Sequence, residues 1–128
     1  MSNIIVVDDD PTNITLTKLL LELDGFSVTT CFDIASAKSY ADEKTDAFLI
    51  DCHLARGASG IDLLRDIRSG STAAEQEVVV IITSGDYRRE SEASEAGADK
   101  FLLKPYPPES LSENLTKLLE IKKGKHVE

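Results

Sequence analysis

The 128-residue chain is predicted to fold as a single α/β domain, a doubly wound parallel sheet of five strands in a (βα)5 alternation. Short apolar runs alternate five times with segments of helical spacing, which is the pattern of strands joined by crossover helices. Four of the runs are continuously apolar, as expected for strands that helices cover on both faces. The runs are residues 4–7, 26–30, 47–50, 78–82 and 101–103.

The first helix follows the first strand, and its start is marked by Asp10 as a cap and Pro11 in the first turn. Four leucines recur at helical spacing and share one face, which is typical of the side that a helix turns toward the core. They are Leu16, Leu19, Leu20 and Leu23. The second strand alternates apolar and polar residues from Phe26 to Thr29, which favours an edge strand with one wetter face.

The later helices show the same spacing, with one exception. Apolar stripes predict a second helix after a cap at Asp33, a third helix, and a last helix beyond the Pro107-Pro108 break. The stripes are Ile34-Ala37-Ala41, Ile61-Leu64-Ile67 and Leu111-Leu115-Leu118-Leu119. Residues 86–96 are mostly Arg, Glu and Ser, so a helix there, ended by Gly97, is expected to be among the least stable elements.

Composition and charge exclude several classes of function. The formal net charge of −9 argues against unspecific binding to nucleic acid or to anionic membranes, because both need a basic surface. No apolar run approaches the roughly 18 residues of a membrane span, and the N-terminus shows no signal pattern, so we expect a cytoplasmic location. Cys31 and Cys52 follow no metal spacing and are expected to be reduced apolar fillers.

Charged and hydroxyl side chains follow four of the five predicted strands. Ligands of open parallel sheets bind outside the carboxyl ends of the strands, so these positions form the candidate site. The strand ends are Asp8-Asp9-Asp10, Asp51, Thr83-Ser84 and Lys104-Pro105. A lone Asp there is usually a turn former or a cap, and a lone Lys is usually solvated surface. Independent caps and surface charges would not all choose one edge of the sheet.

The chemistry of this edge favours a hard cation. Two carboxylates 4 Å apart repel each other by roughly 4 kcal/mol at an effective dielectric of 20, so a cluster of Asp8, Asp9 and Asp51 must bind protons or a cation. Mg²⁺ suits such a set because it prefers oxygen ligands and keeps several waters. Mg²⁺ can bridge a carboxylate and a phosphate oxygen, while Lys104 and Thr83 take other phosphoryl oxygens. A carboxylate that attacks phosphorus forms an aspartyl phosphate.

The chain resembles the receiver domains of two-component response regulators over roughly residues 3–119. Four pieces in order carry the resemblance: residues 4–9 (IIVVDD), 48–51 (FLID), 79–84 (VVIITS) and 96–105 (AGADKFLLKP). It implies a flavodoxin-like fold with strand order 2-1-3-4-5, with a receiver domain over residues 1–121 and a polar tail or the start of a linker over residues 122–128. It also implies a signalling switch, not an enzyme, that catalyses its own phosphorylation and slow autodephosphorylation.

The resemblance implies a role for each matching residue. The phosphoacceptor is Asp51. The cofactor Mg²⁺ is held by Asp8, Asp9, Asp51 and the backbone carbonyl of His53. The phosphoryl group is bound by Thr83, Ser84 and Lys104. The switch residues are Thr83 and Phe101, and in this family the bond before Pro105 is usually cis.

Two features depart from the usual receiver pattern. The family often has a proline four residues after the acceptor, where this chain has Ala55, and the loop of residues 52–59 is one residue longer than in common members. These changes affect the path of the loop and its contacts with a kinase, but not the acceptor. His53 lies where receivers tune the access of the hydrolytic water, so we hypothesise that it adjusts the phosphoryl lifetime. The alternative is a neutral surface histidine.

The resemblance also implies partners. The phosphodonor is a sensor histidine kinase or a histidine phosphotransfer domain. A downstream protein binds the surface formed by the 86–97 helix, the Phe101 strand and the last helix. We expect no nucleic-acid contact by this chain and no membrane association. About two dozen residues follow Lys104, too few for an output domain, so we expect a stand-alone receiver or a fragment of a hybrid kinase or larger regulator.

Two alternatives remain open on the sequence. A pseudo-receiver would bind partners without phosphorylation, although such proteins usually lose an acidic or lysine position and none is missing here. Residues 8–12 also fit the Asp-x-Asp-x-Thr opening of haloacid-dehalogenase-type phosphohydrolases, with Asp8 as nucleophile and Asp10 as acid. That class needs an acidic pair downstream of its lysine, which this chain lacks, and it leaves Asp51 without a role.

Overall fold

The computed structural model describes residues 1–126, which form one sheet with helices on both faces. The five strands are parallel and lie in the order β2-β1-β3-β4-β5, which confirms the predicted fold class and strand order. The strands are β1 (Asn3–Val7), β2 (Ser27–Cys31), β3 (Ala47–Asp51), β4 (Val79–Ser84) and β5 (Lys100–Leu103). The helices are α1 (Pro11–Leu23), α2 (Ile34–Tyr40), α3 (Gly60–Arg68), α4 (Glu90–Glu95) and α5 (Ser110–His126). Short 3₁₀ turns span Ala55–Gly57 and Tyr87–Arg89.

Side chains alternate between the two faces of the sheet, and each face has its own apolar core. One core packs the sheet against α1 and α5, and the other packs it against α2, α3 and α4. From β1, β3 and β4 the first core takes Ile4, Val6, Ala47, Leu49, Val79 and Ile81, and the second takes Ile5, Val7, Phe48, Ile50, Val80 and Ile82. All of these side chains are buried, so the predicted coverage on both faces is confirmed for these three strands.

The predicted core face of α1 is wrong. Leu16, Leu19 and Leu23 are 52%, 55% and 74% exposed, whereas Ile14 and Leu21 are buried against the sheet. Apolar residues lie on two sides of this helix, so spacing alone does not decide which side faces the core. The exposed leucines form a stripe along α1, which we call the α1 leucine stripe.

β5 also differs from its prediction, because it is the second edge of the sheet. Only Leu102 of this strand is buried, and Leu103 is 45% exposed. The continuously apolar run therefore did not indicate coverage on both faces. A continuous run of three residues is too short to show whether one face or both are covered.

α4 buries only Ala93, as the polar composition of residues 86–96 predicts. Two arginines of α3 form polar contacts with α4 and with the residues that follow it. The Arg68 guanidinium donates to the carbonyl oxygen of Gly97 at 3.0 Å and to Asp99 Oδ2 at 3.0 Å. Arg65 forms an ion pair with Glu92 at 3.1 Å. Polar contacts rather than apolar area therefore place this helix.

The remaining predictions on the chain concern its end, its cysteines and membrane association. α5 continues to His126, through part of the predicted tail, and Val127 and Glu128 lie outside the described residues. The assignment of residues 122–128 to a linker stays a prediction. Cys31 and Cys52 are free and buried, as predicted. Of the helices within residues 1–126, none is long and apolar enough to cross a membrane.

Candidate functional site

The candidate site lies where the strands end at their carboxyl edge, and the sheet register brings its residues together. Asp51 ends β3 and is paired in register with Thr83 of β4. Ser84 follows Thr83, and its carbonyl oxygen accepts a hydrogen bond from the Lys104 N–H at 2.8 Å. Asp8 directly follows β1, the neighbour of β3 on the other side. The sheet order therefore gathers the residues of four separate strand ends.

Asp51 is the most constrained carboxylate of the site. Its Oδ2 accepts a hydrogen bond from Lys104 Nζ at 2.8 Å, and its Oδ1 accepts one from the backbone N–H of His53 at 3.0 Å. The residue is 9% exposed. A carboxylate whose oxygens each accept one hydrogen bond, one from an ammonium and one from an amide, can act as a nucleophile and can also bind a cation.

Asp8 is a buried carboxylate beside Asp51. Burial raises its pKa, a hydrogen bond from the Asp10 N–H at 2.9 Å opposes that effect, and the negative charges of Asp51 and Asp9 raise the pKa further. Together these effects raise the pKa of Asp8 above its ordinary value. Asp9 is exposed. Asp10 caps α1, because its Oδ1 accepts from the N–H groups of Thr12 and Asn13.

Lys104 supplies the positive charge of the site. Burial lowers the pKa of its ammonium, but the hydrogen bond that it donates to Asp51 and the negative charges of Asp51 and Asp8 outweigh burial, so the pKa is raised. The site therefore favours the charged form of Lys104. One ammonium between two carboxylates leaves net negative charge, which a divalent cation would balance.

The remaining predicted site residues surround this pair. Thr83 is 4% exposed and Ser84 is fully buried. The Ser84 hydroxyl accepts from the Asp86 N–H at 3.0 Å and lies 3.3 Å from Nε2 of the exposed His53. Phe101 is half-buried and packs on the core of the α2, α3 and α4 face. The Lys104–Pro105 peptide bond is cis.

The loop after Asp51 closes on itself at its base. The Gly60 N–H donates to the Cys52 carbonyl oxygen at 2.8 Å, and His53 pairs with Ser59 in an antiparallel bridge. At its tip Arg56 adopts a positive φ of 61°, a conformation that L residues other than glycine rarely adopt. Residues 52–59, called the acceptor loop below, thus form a compact turn without the proline that is common in the family.

Gly60 is required by this packing. A Cβ at this position would overlap the carbonyl oxygen of Asp51 and lie 2.6 Å from Ile50 Cγ2. We expect Gly60→Ala to lower the free energy of unfolding by about 1–3 kcal/mol, because backbone of the buried β3 end must shift. Gly85→Ala is the control, since a Cβ there meets no atom within 4 Å. Urea unfolding of both variants checks this, and equal midpoints would contradict it.

Two features of the site carry no signal in the sequence. A cavity of about 410 Å³ lies beside Asp8 and Lys104, and it is lined by Tyr106, Leu111 and the N-terminal half of α1. Burial raises the pKa of the Tyr106 hydroxyl, and Lys104 partly opposes this effect. The second feature is Arg89, whose guanidinium donates to the Ser59 hydroxyl at 3.3 Å. Both depend on contacts between distant segments.

The donor set fits Mg²⁺ by its chemistry, because Asp8, Asp9 and Asp51 offer only oxygen atoms and carry excess negative charge. Within residues 1–126 no three His, Cys, Asp or Glu side chains are clustered closely enough to form a ready-made metal site. Asp9 is the exposed member of the set. Mg²⁺ keeps several waters as ligands, so a preformed cluster of protein ligands is not needed beside them.

Comparisons with known proteins agree with this geometry. The family model for the response regulator receiver domain matches residues 4–116. The transcriptional regulatory protein CpxR of Escherichia coli (strain K12) is 30% identical over 119 residues, which are 93% of this chain and 50% of that protein. The chain thus spans about half the length of the curated relatives it matches.

Two solved structures extend the likeness to the fold. A response regulator receiver domain protein from Clostridium thermocellum has a TM-score of 0.85 and 28% identity, covering 96% of this chain and 98% of that one. The response regulator protein TrrA from Thermotoga maritima, in complex with Mg²⁺ and BeF, has a TM-score of 0.79 and 25% identity, covering 92% and 99%. With the family model spanning most of the sequence and the strand ends converging on Asp51, the chain belongs to the family of response regulator receiver domains.

Proposed function

We propose that this chain accepts a phosphoryl group on Asp51, with Mg²⁺, from a sensor histidine kinase or a histidine phosphotransfer domain. The observation that carries the proposal is the pairing of Asp51 with Lys104 at 2.8 Å beside the buried carboxylate of Asp8. On this proposal Asp51 is the nucleophile, Lys104 offsets negative charge, and Asp8 would help to hold the cation that offsets the rest. On this proposal the protein is a cytoplasmic signalling switch and not an enzyme with turnover.

The transfer is an in-line displacement at phosphorus. A carboxylate oxygen of Asp51 forms the new P–O bond while the P–N bond to the donor imidazole breaks, and the electron pair of that bond stays on the imidazole. Mg²⁺, held by Asp8, Asp9, Asp51 and the His53 carbonyl, supplies charge stabilisation at the phosphoryl oxygens when bound. Lys104 then pairs with a phosphoryl oxygen, and Thr83 and Ser84 are the further phosphoryl-binding residues of this proposal.

The phosphodonor needs a surface next to Asp51, and the α1 leucine stripe is a candidate. Three largely exposed leucines on one helix are more than isolated apolar surface residues. The 410 Å³ cavity joins this helix to the site through Leu16 and Lys104. We propose that a helix of the donor lies along α1 and brings its phosphohistidine over Asp51.

Phosphorylation is proposed to act on the opposite side of the site. Thr83 would move to donate a hydrogen bond to the phosphoryl group, and Phe101 would turn inward into the space that is left. α4 buries only Ala93, so little apolar packing resists its movement. The surface of α4, β5 and α5 then becomes the binding site of a downstream protein.

Acetyl phosphate tests the proposed chemistry without a partner protein. We expect intact mass spectrometry to show a single phosphate adduct that forms only with Mg²⁺, located by digestion to the peptide containing Asp51. Absence of an adduct would favour a partner-binding pseudo-receiver. Continuous release of phosphate that requires Asp8 but not Asp51 would favour the phosphohydrolase.

His53 is proposed to adjust the lifetime of the phosphoryl group. Its exposed ring lies 3.3 Å from the Ser84 hydroxyl and so covers the mouth of the site. We expect His53→Ala to speed the loss of phosphate several-fold, because water gains access to phosphorus. The adduct is followed by intact mass after removal of acetyl phosphate. A decay rate equal to that of the wild type would make His53 an ordinary surface histidine.

A further inference from the structure

Arg89 lies in the 3₁₀ turn before α4 and reaches back to the acceptor loop. Its Nη2 atom donates to the Ser59 hydroxyl at 3.3 Å and pairs with Glu92 Oε1 at 3.1 Å. Burial raises the pKa of the Cys52 thiol, and the positive charge of Arg89 opposes that rise. Arg89 is thus in contact with the last residue of the acceptor loop and with α4.

The acceptor loop is suited to pass on a movement of its first residues. Cys52 and Gly60 are joined by a 2.8 Å hydrogen bond, and His53 is bridged to Ser59, so the two ends of the loop are tied together. Ser59 also caps α3, because its hydroxyl accepts the Ile61 N–H at 3.2 Å. A shift at His53 therefore reaches Ser59 directly.

α4 has few other contacts that fix its beginning. It buries only Ala93, and the Arg68 contact with Gly97 lies just beyond its C-terminal end. Glu92, in the first turn of α4, pairs with Arg65 of α3 as well as with Arg89. Arg89 therefore joins the acceptor loop to the first turn of this helix.

An ordinary surface ion pair is the competing interpretation of Arg89. Its pairing with Glu92 is of that kind, and such pairs contribute about 0–1 kcal/mol. Two observations distinguish Arg89 from an arginine in an ordinary surface ion pair. The contact with Ser59 joins segments 30 residues apart, and Nε of Arg89 is buried without a hydrogen-bond partner among the described residues. A surface arginine free to rotate would expose that nitrogen to water.

We propose that Arg89 couples the acceptor loop to α4 and gives phosphorylation at Asp51 a second connection to the partner-binding surface. This inference rests on the proposed function. The first connection is the proposed movement of Thr83 and Phe101. In the second, phosphorylation of Asp51 disturbs the hydrogen bond that its Oδ1 accepts from the His53 N–H at 3.0 Å, and the acceptor loop moves. Ser59 moves with the loop, and Arg89 carries the movement to Glu92. Arg89 is a positioning residue, since it does not touch the phosphoryl group.

Amide hydrogen exchange on the full chain tests the coupling, with Mg²⁺ and beryllium fluoride as the activating probe. We expect activation of the wild type to change exchange in peptides covering residues 52–59 and 90–97. In Arg89→Lys, which keeps the charge but loses the fork of donors, the response of the acceptor loop should persist while that of residues 90–97 falls to less than half. The matched control is Arg88→Lys, because Arg88 is largely exposed and, among the described residues, pairs only with Asp86.

A second variant provides a rescue. Ser59→Asp keeps the cap of α3 and offers a carboxylate to a lysine at the place of Arg89. In the double variant Arg89→Lys, Ser59→Asp, the response of residues 90–97 should return to more than half of the wild-type change. A role confined to the stability of α4 would not be rescued by a change in the acceptor loop.

Three outcomes would overturn the coupling. They are an undiminished response of residues 90–97 in Arg89→Lys, an equal loss in Arg88→Lys, and a wild type whose loop responds while residues 90–97 do not. Phosphate incorporation from acetyl phosphate is measured separately on every variant. Absence of that adduct in the wild type would instead overturn the proposed function.

Discussion

Asp51→Asn is expected to abolish the Mg²⁺-dependent adduct that acetyl phosphate forms on the wild-type chain. An amide oxygen is not a competent nucleophile toward phosphorus at neutral pH, and Asn cannot offset the charge of Lys104, whose Nζ now lies 2.8 Å from Asp51 Oδ2. The fold should persist, because Asn keeps an oxygen that can accept the His53 N–H. Intact mass spectrometry measures the adduct, and circular dichroism checks the fold.

Asp10→Asn is the matched control for this substitution. Asp10 belongs to the same strand edge, but it caps α1, and Asn is as good a cap as Asp. We expect this variant to gain phosphate like the wild type. In the phosphohydrolase alternative Asp10 is the acid, so the two substitutions would exchange outcomes: Asp10→Asn would lose activity and Asp51→Asn would keep it.

The site was predicted more fully than the packing around it. Asp8, Asp51, Thr83 and Lys104 were found because parallel strands end at one edge of the sheet, and any residue at a strand end goes to that edge. This inference needs only the position of each strand in the sequence. It does not need the path of any loop or the orientation of any helix.

The face of α1 was not predictable in the same way. Leucines lie on two sides of this helix, and hydrophobic spacing identifies an apolar side without saying whether it is buried. The exposed Leu16, Leu19 and Leu23 gave a stronger pattern than the buried Ile14 and Leu21. An apolar side that serves a partner looks the same in sequence as one that serves the core.

Contacts between distant segments left no sequence signal at all. Arg89 stands in a run of charged residues that looks like a solvated helix face, and its contact with Ser59 depends on how α4 lies beside the acceptor loop. Gly60 is likewise an unremarkable helix start until the carbonyl of Asp51 is placed against it. Such features follow from tertiary packing, which local patterns do not encode.

Asp8→Asn is expected to stabilise the chain at neutral pH and to remove its response to Mg²⁺. Burial and the charge of Asp51 raise the pKa of Asp8, so its ionised form is held at a cost in the folded state. Asn removes that charge and keeps an oxygen for the Asp10 N–H. We expect a gain of about 0.5–2 kcal/mol in the free energy of unfolding, the usual size for relief of one unfavourable site.

The pH dependence of this gain has a definite sign. Because the folded-state pKa of Asp8 is raised, the folded chain binds its proton more tightly than the unfolded chain does. The loss of stability caused by ionised Asp8 is fully present above the pKa of Asp8 in the folded chain. It disappears as pH falls toward the ordinary value of 3.8. The advantage of Asp8→Asn should therefore be largest near pH 7 and shrink in acid. Urea unfolding across this pH range measures it.

Mg²⁺ should reverse the comparison, because it binds the folded wild type and stabilises it by about 2.7 kcal/mol at 100 times its dissociation constant. Asp8→Asn, with one carboxylate fewer, should be stabilised little by Mg²⁺. It should also be phosphorylated by acetyl phosphate at least about 100-fold more slowly than the wild type. Asp33→Asn is the control. The Ser36 N–H holds the pKa of that exposed carboxyl below its usual range, so its substitution should bring no gain near pH 7. A variant less stable than the wild type at pH 7 without Mg²⁺ would show that Asp8 is satisfied in the fold and needs no cation.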